Sequence, residues 1–166
     1  MGIVILRLLL RFEARLEAAV RILIFLTAVA LIVTLTIQIL NRYLLPMPLA
    51  YTVELVRVEL VWFVFAGSAH ATHLGEHFVL ALLFDKVRFP GKRGVAIAID
   101  LAVILFFGWL AYYGLLLAIG NPQIYPALHM PVAISYIAVP IGAAAITFHF
   151  AVALLRTCLE PGERAT

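Results

Sequence analysis

The chain has 166 residues, of which 65% are hydrophobic and only 13% are charged, and its mean hydropathy is +1.11. Soluble domains are about half apolar and about a quarter charged, and a soluble fold of this size has too little interior to bury so much apolar surface. The composition excludes an ordinary soluble enzyme, a disordered chain and a nucleic-acid-binding domain, although basic residues outnumber acidic ones by 12 to 9. The single Cys158 also excludes a disulfide framework and a cysteine-based metal site. The chain is therefore a small polytopic membrane protein by composition.

The first 21 residues have an amphipathic helical pattern of their own. An apolar stripe recurs at helical spacing, and charged residues fill the remaining surface at Arg7, Arg11, Glu13, Arg15, Glu17 and Arg21. Such a segment is typical of a helix at the cytoplasmic membrane interface, with its arginines against anionic head groups. The alternative is that these residues form the frayed start of the first membrane span.

Four segments are candidates for membrane spans, because a hydrocarbon core of about 30 Å needs about 20 helical residues. The sequence predicts spans at about residues 22–40, 51–71, 95–119 and 132–155. The second span is the least regular, since Glu54, Arg57 and Glu59 lie in its first half. It is either a tilted helix or an interfacial helix whose span continues past His73. Glycine and prolines near residues 120–131 separate the last two spans.

The distribution of lysine and arginine predicts the orientation. Basic residues concentrate in the two terminal segments and in the loop between spans two and three, whereas the other two loops contain only Arg42. The positive-inside rule therefore places both termini in the cytoplasm. No small-residue cleavage site follows the first apolar run, which argues against a secretory signal. We expect one all-α membrane domain over residues 1–166, with four transmembrane helices and an N-terminal interfacial helix.

Charged residues within a span are costly, so they are either paired or functional. Glu54 and Arg57 are spaced i, i+3 and can pair on one helix face, whereas Glu59 points elsewhere and needs another partner or water. A proton or ion relay is one interpretation of this group. We favour an interfacial cluster that snorkels to the head groups or pairs with another subunit.

Three histidines, His70, His73 and His77, share one helical face. They suggest a metal or haem site, with His149 of the fourth span as a ligand from a facing helix. The alternative is a polar face at the cytoplasmic end of the span. Only Glu76 offers a nearby carboxylate in the sequence, and it faces elsewhere, so we expect no metal and no cofactor.

Small residues and a proline interrupt the apolar pattern of spans two and four. Pro140 removes a backbone hydrogen bond and clashes with the carbonyl of Tyr136, so the sequence predicts a kink there. Gly67 and Gly142 permit close approach of another helix, either from a partner subunit or from within the bundle. Trp62 is interpreted as a bundle or interface anchor.

Two stretches of the chain resemble a known family. The first comprises Glu54-Leu55-Val56-Arg57, Leu60 to Ala69 and Gly75-Glu76-His77, and the second comprises Pro126 to Pro131 followed by Ser135 to Gly142. Together they are similar to the small, DctQ-like membrane subunit of tripartite ATP-independent periplasmic (TRAP) transporters, over about residues 20 to 155. From these motifs we expect the following residues near the subunit contact: Glu54, Arg57, Trp62, Gly67, His77, Tyr136, Pro140 and Gly142.

The resemblance implies a non-catalytic role in the bacterial inner membrane. In such transporters a periplasmic substrate-binding protein delivers an organic acid anion, such as a dicarboxylate or sialic acid. A large, DctM-like membrane subunit moves it by a sodium-driven elevator motion, and the small subunit enlarges the fixed scaffold. The outer loop at residues 121–131 is a weaker candidate for docking the binding protein. Two alternatives stay open, a self-sufficient homo-oligomeric transporter or channel and a haem-binding membrane subunit.

Overall fold

The structure is a computed structural model that describes residues 2–44, 49–74 and 92–159. It confirms an all-α membrane protein, to which one short β-hairpin is added. In chain order the elements are α1 (Gly2–Leu44), α2 (Ala50–His73), α3 (Lys92–Gly120), β1 (Ile124–Tyr125), β2 (Met130–Pro131), α4 (Ala133–Tyr136) and α5 (Ala138–Leu159).

Helix α1 is continuous from Gly2 to Leu44, which is about 65 Å at 1.5 Å per residue. No break separates the segment assigned to an interfacial helix from the span that follows it. The expected outward position of Glu13 and Glu17 was wrong, because both side chains are buried in the bundle, at 6% and 8% exposure. They turn inward because histidines of α2 and α5 offer them partners there, while Arg11 and Arg15 remain exposed.

Within the described ranges, three helical stretches are long and apolar enough to cross a membrane, namely Arg11–Leu44, Ile97–Gly120 and Ala133–Leu155. Helix α2 has 24 residues and reaches about 36 Å, which is also sufficient length. Helix α2 is not one of these apolar stretches, because it contains three charged side chains, Glu54, Arg57 and Glu59. The status of α2 as a fourth span therefore stays a prediction.

The last span is interrupted at Ile137, between α4 and α5. Pro140 has no N–H to donate to the carbonyl of Tyr136, and its ring crowds that carbonyl. The i to i−4 pattern resumes at Ile141, whose N–H donates to Ile137 O at 3.3 Å. The distortion predicted from Pro140 is thus found one turn before the proline.

Helices α2 and α5 pack against each other in the middle of the bundle, with α1 beside α2 and α3 beside α5. The shared core is formed largely by small or branched side chains: Val20, Ala66, Ala69, Ala145, Ile146 and Phe150. Helix association in lipid depends on close packing, which small residues permit. This arrangement brings the first halves of α1 and the second halves of α2 and α5 to the same end.

Candidate functional site

Polar side chains of the bundle gather at two levels. We call the first the hairpin end, where Glu54 of α2 meets the β1–β2 loop. We call the second the histidine end, formed by Glu13, Glu17, His70, His73 and His149. Glu54 and His70 are both on α2 and lie about 24 Å apart along its axis. The two ends are therefore separated by most of a hydrocarbon core of about 30 Å.

At the hairpin end, the Glu54 carboxylate binds the backbone of the turn between β1 and β2. The N–H of Ala127 donates to Oε2 at 3.0 Å and to Oε1 at 3.2 Å. The N–H of Leu128 donates to Oε2 at 2.8 Å. The turn is closed by His129, whose φ is 53° and whose N–H donates to Tyr125 O at 2.8 Å. Glu54 thus fastens the first turns of α2 to the loop that precedes α4.

The predicted Glu54–Arg57 ion pair is not formed. Glu54 is directed at the loop, and Arg57, which is exposed, makes no ion pair among the described residues. Both side chains line a cavity of about 540 Å³ whose wall includes Tyr136. In the same wall the hydroxyl groups of Tyr125 and Ser135 are hydrogen-bonded at 2.8 Å.

Between the two ends, two polar side chains of α2 have partners on neighbouring elements. Trp62 Nε1 donates to the carbonyl of Ile134 at 3.0 Å; that carbonyl belongs to the last turn of α4, where helical acceptors lack their own partners. The partner that the sequence left open for Glu59 is Thr34 of α1, whose Oγ1 donates to Glu59 Oε1 at 3.0 Å. Both contacts connect helices within the chain.

The two glycines expected near a subunit contact have different surroundings. A Cβ at Gly142 would lie 2.7 Å from Phe65 Cβ, whereas a Cβ at Gly67 would meet nothing within 4 Å. Of the two interpretations of Gly142, the geometry supports packing inside the bundle. Gly67 lies on a face of α2 that is open in the isolated chain, beside the exposed Val64 and Ser68.

The histidine end brings three helices together. His70 Nδ1 lies 2.5 Å from Glu17 Oε1. Glu13 lies one helical turn before Glu17 on α1. Its Oε1 is 3.4 Å from His73 Nδ1 and 3.3 Å from His149 Nδ1. The ring centroids of His73 and His149 are 5.0 Å apart.

The sequence placed His149 opposite the α2 histidines, but it missed the two glutamates of α1. Their i, i+4 spacing on an apolar helix was a usable signal, which was assigned instead to the polar face of an interfacial helix. Pro140 is buried against α3, where Gly114 leaves room for its ring. His77 lies outside the described residues.

The family model for the DctQ component of tripartite ATP-independent periplasmic transporters matches residues 31–159. The chain belongs to this family. It is 30% identical over 108 residues to the ectoine TRAP transporter small permease protein TeaB of Halomonas elongata, a match that covers 63% of this chain and 56% of TeaB. It is 28% identical over 150 residues to the uncharacterized protein y4mM of Sinorhizobium fredii, covering 84% of this chain and 28% of that protein.

As a member of the DctQ family with apolar helices long enough to cross a membrane, the chain is a multi-pass protein of the bacterial inner membrane. The chain spans about half of TeaB and less than a third of y4mM. The matched residues include Glu54, Trp62, His73 and His149, but they begin after Glu13 and Glu17. The hairpin end therefore lies wholly within the family match, whereas the histidine end combines matched residues with two glutamates outside it.

Proposed function

We propose that this DctQ-family chain is a non-catalytic subunit that binds the large elevator-type membrane subunit of a sodium-driven TRAP transporter and enlarges its fixed scaffold. The observation that supports the proposal is that both acidic side chains of α2 have partners within this chain. Glu54 binds the β1–β2 loop and Glu59 binds Thr34 of α1. Transporter sites instead collect polar groups and ions near the bilayer midplane. The acidic groups of α2 serve to hold this bundle together.

A moving transport domain needs a stationary partner, because otherwise both halves rotate in the lipid. A bundle whose loop is fastened to α2 through Glu54 is suited to that role, since its helices cannot shift without breaking these bonds. The exposed Arg11, Arg15 and Arg21 of α1 suit contact with anionic head groups, which fixes the depth of the subunit. We propose, from the distribution of basic residues, that both termini lie in the cytoplasm and that α2 is the second of four spans.

The open face of α2 is our proposed contact for the large subunit. Arg57, Leu60, Val64, Ser68 and Ala71 are exposed along this face, and Gly67 beside them has free space around it. Small residues let a helix of another subunit approach closely, which stabilises association in lipid. At the end of the face, Arg57, which makes no ion pair with the residues that the structure describes, offers its guanidinium to an acidic group of the partner.

The proposed substrate class rests on the resemblance of the sequence motifs and not on the contacts of this chain. We propose an organic acid anion, delivered by a periplasmic binding protein that meets the outer side of the transporter near the β-hairpin. Because the related TeaB is named for an ectoine transporter, ectoine is the second substrate to test.

The contact is tested by co-purifying the large subunit with Gly67→Leu. We expect this variant to lose most of the large subunit, because leucine fills the space that the partner helix needs. The matched control is Gly108→Leu on α3, since Gly108 likewise has nothing within 4 Å. Both variants should remain monodisperse in detergent. Full recovery of the large subunit with Gly67→Leu would contradict the proposed contact.

The role itself is tested by uptake into proteoliposomes. Uptake is expected only when this chain, the large subunit, the binding protein and an inward sodium gradient are all present. Uptake by this chain alone would instead support a self-sufficient homo-oligomeric transporter. A Soret band from the purified chain would support the haem-binding alternative.

A further inference from the structure

We propose that the histidine end of the bundle binds a divalent transition-metal ion, with Zn²⁺ as the best match, through Glu13, His73 and His149. The three residues come from three different helices, α1, α2 and α5. One ligand atom from each lies within 4.8 Å of the other two. Such an ion would tie the first part of α1 to the central pair of helices.

The ligand types favour zinc. Zn²⁺ is held by imidazole nitrogen and carboxylate oxygen, and two histidines with one glutamate form a ligand set that leaves a fourth position open. Glu13 and His149 are nearly inaccessible, at 6% and 3% exposure, whereas the His73 side chain is 28% exposed. The fourth position is therefore suited to a water molecule that enters beside His73.

The two distances from Glu13 to the imidazoles match the spacing of ligands around one tetrahedral cation, and the contact with His149 is also within hydrogen-bonding distance. With metal–ligand bonds of about 2.0–2.1 Å, neighbouring ligands of a tetrahedral ion are about 3.4 Å apart. Glu13 Oε1 lies 3.4 Å from His73 Nδ1 and 3.3 Å from His149 Nδ1. A charge-assisted N–H···O hydrogen bond is shorter, at about 2.7–2.9 Å.

The neighbouring pair provides an internal comparison. His70 Nδ1 and Glu17 Oε1 are 2.5 Å apart, which is too close for both atoms to be ligands of one tetrahedral ion. At the Glu13 level, by contrast, His73 Nδ1 is buried and has no hydrogen-bond partner in the part of the chain that the structure describes, although it faces Glu13. An ion bonded to this nitrogen would satisfy it. Burying a carboxylate beside two imidazoles is costly unless they share a charge or hydrogen bonds, and a divalent cation supplies that charge.

The test is titration of the full chain with Co²⁺, after removal of metal by chelation and with a purification tag that contains no histidine. Tetrahedral Co²⁺ has intense visible absorption, which Zn²⁺ should abolish by displacing it. We expect one Co²⁺ per chain. In His73→Gln and His149→Gln the affinity should fall at least about tenfold, because ligand loss should cost no less than the loss of an outer-shell partner. The matched control is His129→Gln, in the exposed turn of the β-hairpin, which should bind as the unmodified chain does.

A stability measurement covers the case in which a buried substitution fails to fold. Zn²⁺ should raise the thermal unfolding midpoint of the unmodified chain and of His129→Gln, but not that of the folded His73→Gln variant, whose side chain is partly exposed. Absence of saturable binding, or equal binding by the His73→Gln and control variants, would overturn the proposal. Because only the isolated chain is used, either result leaves the proposed transport role untouched.

Discussion

The two ends of the bundle hold their glutamates in different ways: Glu54 is half-buried, whereas Glu13 and Glu17 are buried. At the hairpin end, Glu54 receives N–H groups from consecutive backbone positions of one turn. At the histidine end, Glu13 and Glu17 face imidazoles of two other helices. Backbone donors have fixed positions and always carry their hydrogen, so the first arrangement needs no bound ion. Imidazole nitrogens are metal ligands, so the second arrangement can join the helices through the proposed ion.

The hairpin end should show the largest effect of a single substitution. Glu54→Ala leaves the N–H groups of Ala127 and Leu128 without their acceptor. A hydrogen bond to a charged group contributes about 1.5–3 kcal/mol, so we expect the free energy of unfolding to fall by about 3 kcal/mol. The measurement is denaturation of the isolated chain in detergent micelles.

Arg57→Ala is the matched control for Glu54→Ala, because Arg57 is one turn away on the same helix. It makes no ion pair among the described residues, so its loss should change the free energy of unfolding by less than about 1 kcal/mol. Equal losses in the two variants would show that the bonds from Glu54 to the loop do not stabilise the fold. Glu54→Gln should fall between them, since one acceptor oxygen remains.

The contact between α2 and α5, midway between the ends, should show the next largest effect. Gly142→Ala places a Cβ 2.7 Å from Phe65 Cβ, so the helices must separate. Overpacking of this kind costs about 1–3 kcal/mol. The control is Gly67→Ala, which should leave the stability of the isolated chain unchanged because nothing lies within 4 Å of its Cβ. Thermal unfolding of both variants checks this, and equal stability would rule out the close helix contact.

The sequence predicted the helices better than it predicted the partners of their polar side chains. Apolar run length indicated the helices, and Pro140 indicated the distortion found at Ile137, because both are local properties of the chain. The partners of Glu13 and Glu54 are far away in sequence, on His149 and on the turn at Ala127. Helical periodicity shows which face a residue occupies, but not which helix packs there. The interfacial assignment of residues 1–21 therefore placed Glu13 and Glu17 on the outside.

The β-hairpin was missed for a related reason. Residues 121–131 contain strong turn formers, which predicted only a loop. The pairing of Ile124 with Pro131 and of Tyr125 with Met130 depends on anchors outside the loop. Glu54 supplies one anchor from α2, and the Ser135 hydroxyl supplies another from α4. Neither was visible from the composition of the loop itself.

The smallest expected effect is that of the Ser135 anchor, measured separately from the Glu54 anchor. Tyr125 is buried at 4% exposure, and its hydroxyl lies 2.8 Å from Ser135 Oγ. Tyr125→Phe and Ser135→Ala should each lower stability, and a double-mutant cycle should give a coupling of about 1 kcal/mol, as for a neutral hydrogen bond. Tyr112→Phe, at an exposed tyrosine of α3, is the control and should have no effect. Zero coupling would mean that the hydroxyl pair does not stabilise the hairpin, which would leave Glu54 as its side-chain anchor beside the backbone hydrogen bonds and would sharpen the contrast with the side-chain network at the histidine end.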